Sequence, residues 1–225
     1  MDKIEIIETK MQLEADNDNI AQEIRNDLTK KKVFLINLMA GPGSGKTTTL
    51  VRTINSLKHK YRFGVMEADM DSDVDAKTIS ETGAKVIQIH TLGSCHMDAS
   101  MTIDGLNTLG VDDLDVVFIE NIGNLVCPAE FDTGAHKKVT ILSIPEGDDK
   151  PLKYPLIFKV SDVILFNKID VKEVFDFDED VCKERILKLN DKMEFFSLSS
   201  LNGDGFDKWI DWLDKEIMSW KEANV

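Results

Sequence analysis

Positive charge is scarce in this chain: 27 lysines and arginines stand against 41 aspartates and glutamates, a formal net charge of −14. That balance argues against non-specific binding to nucleic acid or anionic membranes, both of which need clustered basic groups. Cysteine is scarce too. Cys95, Cys127 and Cys182 are an odd number for a disulfide framework, and 225 residues can bury a core without one. Reduced thiols are therefore expected. No apolar run reaches the ~18 residues of a membrane span. The opening Met1-Asp2-Lys3-Ile4-Glu5 has no apolar core of signal-peptide length behind it. The expectation is a cytoplasmic protein with neither nucleic-acid nor membrane partners.

What is present is an alternation of short apolar runs and helical patterns. Val33 to Met39 is nearly continuously apolar and ends at glycines, as a strand buried on both faces does. Similar runs lie at Arg62 to Ala68, Lys85 to Ile89, Asp115 to Ile119, Val139 to Ile144, Val163 to Phe166 and Phe195 to Leu198. Leu50, Val51, Ile54 and Leu57 share a helical face, as do Ile186 and Leu189. Phe206, Trp209, Ile210, Leu213, Ile217 and Trp220 form a closing amphipathic helix. This pattern predicts an α/β fold, a mostly parallel sheet with helices on both faces. Residues 1–31, with Ile6, Met11, Leu13, Ile20, Ile24 and Leu28 at intervals, predict an extension of one or two helices packed on a domain spanning 32–225.

The first strand runs into Ala40-Gly41-Pro42-Gly43-Ser44-Gly45-Lys46-Thr47-Thr48, which matches G-x4-G-K-[ST] with alanine at the first position. Glycines let backbone N–H groups turn inward around a phosphate, and the next helix offers its N-terminus to the anion. Lys46 is placed to reach the β and γ phosphates, and the Thr47 hydroxyl to join a Mg²⁺ shell. Such a P-loop binds ATP or GTP alike. The base is chosen by Asn167-Lys168-Ile169-Asp170, which follows a strand directly. Asp170 can accept two hydrogen bonds from the guanine edge, a pattern adenine lacks. The Lys168 stem would cover the base plane. Ser199-Ser200-Leu201 resembles the S-A-K element whose backbone meets guanine O6. Glu120-Asn121-Ile122-Gly123 resembles the switch element D-x-x-G with glutamate for aspartate. Gly123 would donate its N–H to a γ-phosphate, and Glu120 would help hold Mg²⁺. The acidic stretch Glu67 to Ala76 sits where a first switch belongs, and any of its aspartates could approach the same ion.

Phe118-Ile-Glu-Asn-Ile-Gly-Asn-Leu-Val-Cys-Pro-Ala-Glu-Phe-Asp132, Ser143-Ile-Pro-Glu-Gly-Asp-Asp-Lys-Pro-Leu-Lys-Tyr-Pro155 and Gly93-Ser-Cys-His-Met-Asp-Ala99 closely resemble the hydrogenase-maturation nickel GTPases, the HypB family. The likeness covers roughly residues 33 to 215. It implies a SIMIBI-class P-loop NTPase that binds GTP with Mg²⁺ and dimerises with nucleotide. It also implies help in loading nickel into [NiFe]-hydrogenase, with other maturation factors and the hydrogenase large subunit as partners. The resemblance favours Asp75 as the switch aspartate, with Asp69 second, so Lys46, Thr47, Asp75 and Glu120 become the catalytic set. It also gives Cys95, His96 and Cys127 a metal role. Thiolate and imidazole suit Ni²⁺ or Zn²⁺, and three donors are one short of a closed tetrahedral shell. A second subunit, water or backbone would complete it, as would His90 at a strand end near Cys95. The family's cysteine-rich N-terminal motif and histidine-rich tract are not written in these residues. Cys182 in a charged helix start is read as incidental, and His59 and His136, with surface-like neighbours, receive no role. Three other readings stay open: a urease-type nickel GTPase, which resembles this chain less around Cys95 and Cys127; a chaperone for B12 enzymes or carbon-monoxide dehydrogenase, which changes the client only; and a metal-independent signalling GTPase, which makes the cysteines incidental.

Overall fold

The computed structural model describes residues 3–69, 74–91 and 93–224, with side chains from residue 15 onward. Helix α1 (Lys3–Lys31) leads to β1 (Phe34–Ala40), α2 (Lys46–Leu57), β2 (Phe63–Asp69), α3 (Val74–Ser80) and β3 (Lys85–His90). Then come α4 (Ala99–Leu109), β4 (Val116–Gly123), α5 (Cys127–Glu130), β5 (Lys137–Ser143), α6 (Lys150–Lys153) and α7 (Pro155–Val160). The chain closes with β6 (Val163–Asn167), α8 (Glu179–Leu187), β7 (Glu194–Ser197) and α9 (Phe206–Ala223). Short 3₁₀ turns cover Ile144–Glu146 and Ile169–Val174. The seven strands form one sheet in the order β3-β2-β4-β1-β5-β6-β7, every pairing parallel. No helix among the described residues is long and apolar enough to cross a membrane.

The alternation of side chains along β1 sorts the core into layers. Phe34, Ile36 and Leu38 face α2, α3 and α9, where Leu50, Ile54, Ile79, Trp209, Leu213 and Ile217 are buried. Leu35 faces the opposite layer, with Ala21, Ile24 and Leu28 of α1 and Leu106 and Leu109 of α4. A third cluster lies under α7 and α8, where Ile157, Phe158, Ile186 and Cys182 meet Ile164 and Phe166 of β6. All seven residues of β1 are buried, which is why its sequence shows no polar alternation. The N-terminal helix is one continuous element, and Ala21, Ile24 and Leu28 form its inward stripe. Ile6, Met11 and Leu13 lie outside the residues whose side chains are described.

Two sequence expectations need correction. Strand β4 does not stop at Ile119: it runs on to Gly123, with Glu120 in register with Leu38 and Gly123 with Ala40. The switch-like element is therefore partly ladder rather than loop. His136 is not a surface residue. Its Nδ1 accepts from the Leu35 N–H at 3.0 Å, and its ring stacks on Phe34 and tilts against Trp220. Its polar chain neighbours, Lys137 and Lys138, gave no sign of this.

Candidate functional site

Because every strand runs the same way, the loops after β1, β2, β4 and β6 open at one edge of the sheet. The loop after β1 stands where strand order reverses, since β2, β3 and β4 lie to one side of β1 and β5, β6 and β7 to the other. Ligands in open α/β sheets collect at such points.

One half of the site is a set of loops already fastened together. Gly43 (φ 70°) and Gly45 (φ 96°) take left-handed conformations that turn the phosphate loop. A Cβ on Gly45 would come within 2.6 Å of Asn167 Nδ2. That closeness is used, because Asn167 Nδ2 donates to the Ser44 carbonyl at 2.8 Å. The same side chain accepts through Oδ1 from the Ser200 N–H and the Ser200 hydroxyl, each at 3.0 Å. One buried amide thus joins the phosphate loop, the base-reading tetrad and the Ser199–Leu201 loop. Lys168 adds a bond from Nζ to the Gly43 carbonyl at 2.7 Å and itself sits at φ 63°. Arg52 on α2 donates to the carbonyls of Ser200 (2.9 Å) and Leu201 (2.8 Å). Asp170 stands exposed beside these loops, at their open edge.

The other half is electrostatically unfinished. Thr47 Oγ1 donates to Glu120 Oε1 at 2.7 Å. Glu120 and Glu67 are 2% and 3% exposed, and in each the Oε2 atom has no hydrogen-bond partner among the described residues. Both line a cavity of about 100 Å³ with Lys46, Asp69, Asp75 and Gly123. Burial, with the Glu120 charge alongside, pushes the Glu67 carboxyl up to about 8. Burial also raises Glu120 to about 7, against the pull of the Thr47 hydrogen bond and the Lys46 charge. A Cβ on Gly123 would lie 3.1 Å from Pro42 Cα and 3.3 Å from Lys46 Nζ, so this glycine lets β4 reach the phosphate loop. Buried carboxylate oxygens without donors, next to a threonine hydroxyl and a lysine, fit a hard divalent cation carried by a phosphate. Asp71 and Asp73 of the acidic stretch, with Met70 and Ser72, lie outside the described residues.

At the surface beyond β4, the Sγ atoms of Cys95 and Cys127 and a ring nitrogen of His96 all lie within 4.8 Å of one another. Cys95 is exposed and Cys127 half-buried. A hydrogen bond with the Cys127 thiol raises the Cys95 pKa, and burial lowers that of His96. His96 lies flat on Phe131 with centroids 3.9 Å apart. The loop carrying Cys95 and His96 is tied to β4, since Asn121 Oδ1 accepts from the Met97 N–H at 3.2 Å. Asn124 Nδ2 donates to the Cys95 carbonyl at 3.4 Å. His90, exposed at the end of β3, is not among the gathered donors. Cys182 is fully buried in the core, where desolvation pushes its thiol up to about 12.

The sequence expectations did not single out Glu67, Asn121 or Arg52. A carboxylate inside the apolar run Phe63 to Ala68 was the readable signal for Glu67. The tethering role of Asn121 and Arg52 depends on tertiary contacts and left no pattern.

A phosphate loop at the reversal of an all-parallel sheet, with an asparagine-anchored base loop beside it, defines a P-loop nucleotide-binding protein. Residues 34–197 match the family model described as the CobW/HypB/UreG nucleotide-binding domain. The hydrogenase maturation factor HypB of Escherichia coli K12 is 38% identical over 216 residues, 96% of this chain and 74% of that protein. HypB from Helicobacter pylori, solved in complex with nickel, superposes with a TM-score of 0.84 at 36% identity, covering 91% of this chain and 96% of that one. HypB from Archaeoglobus fulgidus gives a TM-score of 0.84 at 34% identity over 90% of this chain and 99% of that one. The chain belongs to the CobW/HypB/UreG family and, within it, to the HypB proteins.

Proposed function

We propose that this chain is a slow GTPase and metallochaperone that assists nickel insertion into [NiFe]-hydrogenase, in which GTP-dependent dimerisation is coupled to a Cys95–His96–Cys127 site carrying Ni²⁺ or Zn²⁺ as cargo. Asp170 and the Lys168 stem read guanine. With the Ser200 N–H committed to Asn167, the next N–H, that of Leu201, is the one offered to guanine O6. Gly41 to Thr48 wrap the phosphates, Lys46 neutralises charge developing on the γ-phosphate, and the Gly123 N–H marks its presence. Thr47 and Glu120, with Asp75 facing them, would hold the Mg²⁺ that accompanies the nucleotide and supplies charge neutralisation.

The observation that carries the coupling is that all three soft ligands are attached to the end of β4. Cys127 follows Glu120 by seven residues in the chain. Cys95 and His96 are fastened to the same segment through Asn121 and Asn124. A change at Glu120 or Gly123 therefore reaches every ligand, and a two-state element shared by two sites is what thermodynamic coupling requires. Two thiols and a neutral imidazole leave room for donors from a second subunit, and an open shell suits an ion that must be released.

Equilibrium titration with nickel and with zinc, with GDP and with a non-hydrolysable GTP analogue, tests this reading. Cys95→Ala and Cys127→Ala are each expected to weaken metal binding at least ~10-fold, since two protein donors hold an ion poorly. Cys182→Ala, in the core, should bind metal as wild type does. Equal affinity across wild type and both ligand variants would overturn the site. Equal affinity with the two nucleotides would overturn the coupling.

A further inference from the structure

Glu67 has no part in the reading above, yet it is the most anomalous residue of β2. Phe63 to Ala68 are all buried, and Glu67 is the one charged side chain among them. The β2–β4 ladder sets its Cα opposite that of Glu120, so two carboxyl groups stand side by side on neighbouring strands. Both face the same cavity of about 100 Å³, and each keeps one oxygen without a donor among the described residues. Lys46 is the one basic side chain among the described residues lining it. A buried pair of acids facing a single lysine is an unfavourable arrangement unless more positive charge arrives. Thr47 already takes one oxygen of Glu120. The unpartnered Oε2 atoms of Glu67 and Glu120 remain. The cavity has room for about three waters at ~30 Å³ each.

We infer that Glu67 is a second carboxylate of the nucleotide's divalent-cation site, accepting hydrogen bonds from the hydration shell of the Mg²⁺ that Thr47 and Glu120 hold. Carboxylates on two neighbouring strands, Glu67 of β2 and Glu120 of β4, would then serve one ion. Outer contacts of this kind orient and tighten an ion without touching it. The inference rests on the reading of Thr47 and Glu120 as Mg²⁺ residues, so the experiment separates the two.

Affinity for a fluorescent GDP is measured as a function of Mg²⁺ concentration, and again in excess chelator, for wild type, Glu67→Gln, Glu67→Asp and Glu120→Gln. Glu67→Gln should raise the Mg²⁺ needed for half-maximal tightening about 10-fold or more while leaving affinity in chelator unchanged. Glu67→Asp keeps the charge on a shorter arm and should fall between Glu67→Gln and wild type. The melting temperature of nucleotide-free Glu67→Gln should rise, because one of two adjacent buried acids is gone. A wild-type Mg²⁺ requirement in Glu67→Gln, with a raised requirement in Glu120→Gln, overturns the role of Glu67 alone. A wild-type requirement in Glu120→Gln overturns the parent reading of the Mg²⁺ site. Equal losses of affinity with and without Mg²⁺ in Glu67→Gln would make it a structural residue and also overturn the inference.

Discussion

His136 is built to stay neutral. Its Nδ1 accepts from a backbone N–H of β1, aromatic rings of Phe34 and Trp220 cover it, and burial lowers its pKa to about 4. In the unfolded chain the imidazole takes a proton below about 6.5. The unfolded state then binds more protons than the folded one, so stability is full above that pH and is lost as pH falls towards 4. The loss amounts to at most about 3 kcal/mol. Urea unfolding at pH 7 and pH 5 should show it, and His136→Gln should flatten that slope. Two further side chains test the nucleotide chemistry directly. Lys46→Ala is expected to slow GTP hydrolysis at least ~100-fold by removing a charge that stabilises the transition state. Asp170→Asn should weaken GTP and strengthen xanthosine triphosphate, because the base must now offer an acceptor where it offered a donor. Direct competition of GTP, ATP and xanthosine triphosphate for wild type and variant reads both affinities at once.

Among the elements, β4 joins the phosphate-side carboxylate Glu120 to the Cys95–His96–Cys127 cluster. Asn121 is fully buried in it, donates to Asn37 Oδ1 of β1 at 3.2 Å, and accepts from the Met97 N–H. Asn121→Ala should reduce the ratio of metal affinities measured with GTP analogue and with GDP, more than it reduces either affinity alone. Paired titrations provide that ratio. The strand pattern was legible because β1 and β6 are buried on both faces and read as nearly continuous apolar runs. The phosphate loop and the base tetrad were legible because their spacing along the chain is fixed by the turns they make. Beyond these, Glu120 and Gly123 were found but placed after the strand, since polar residues at 120 and 121 look like its end. Glu120 is buried by β1 and β2 on either side, which no local pattern records. The contacts of Asn121 with Asn37, of Arg52 with Ser200 and of His136 with Leu35 each span more than eighty residues of sequence, beyond the reach of any local pattern.

At the scale of the whole molecule, a shared Cys/His site predicts that nucleotide and cargo metal act on one assembly equilibrium. By reciprocity, Ni²⁺ or Zn²⁺ should tighten the GTP-bound dimer by the factor by which GTP analogue tightens metal. Sedimentation equilibrium across a metal series with each nucleotide measures both sides of that equality. The division of the nucleotide site described above has another consequence. Asn167, Lys168 and Arg52 hold the base-side loops to one another, whereas the phosphate side gathers the carboxylates of Glu67 and Glu120 around Lys46. On the proposed function, choice of base and response to the terminal phosphate would fall to separate parts of the site, one fastened through Asn167 and the other carried by the carboxylates. Arg52→Ala should lower the affinities for GTP and GDP by one common factor. Glu120→Gln should change their ratio. The double variant should show the two effects simply multiplied, as independent sites require.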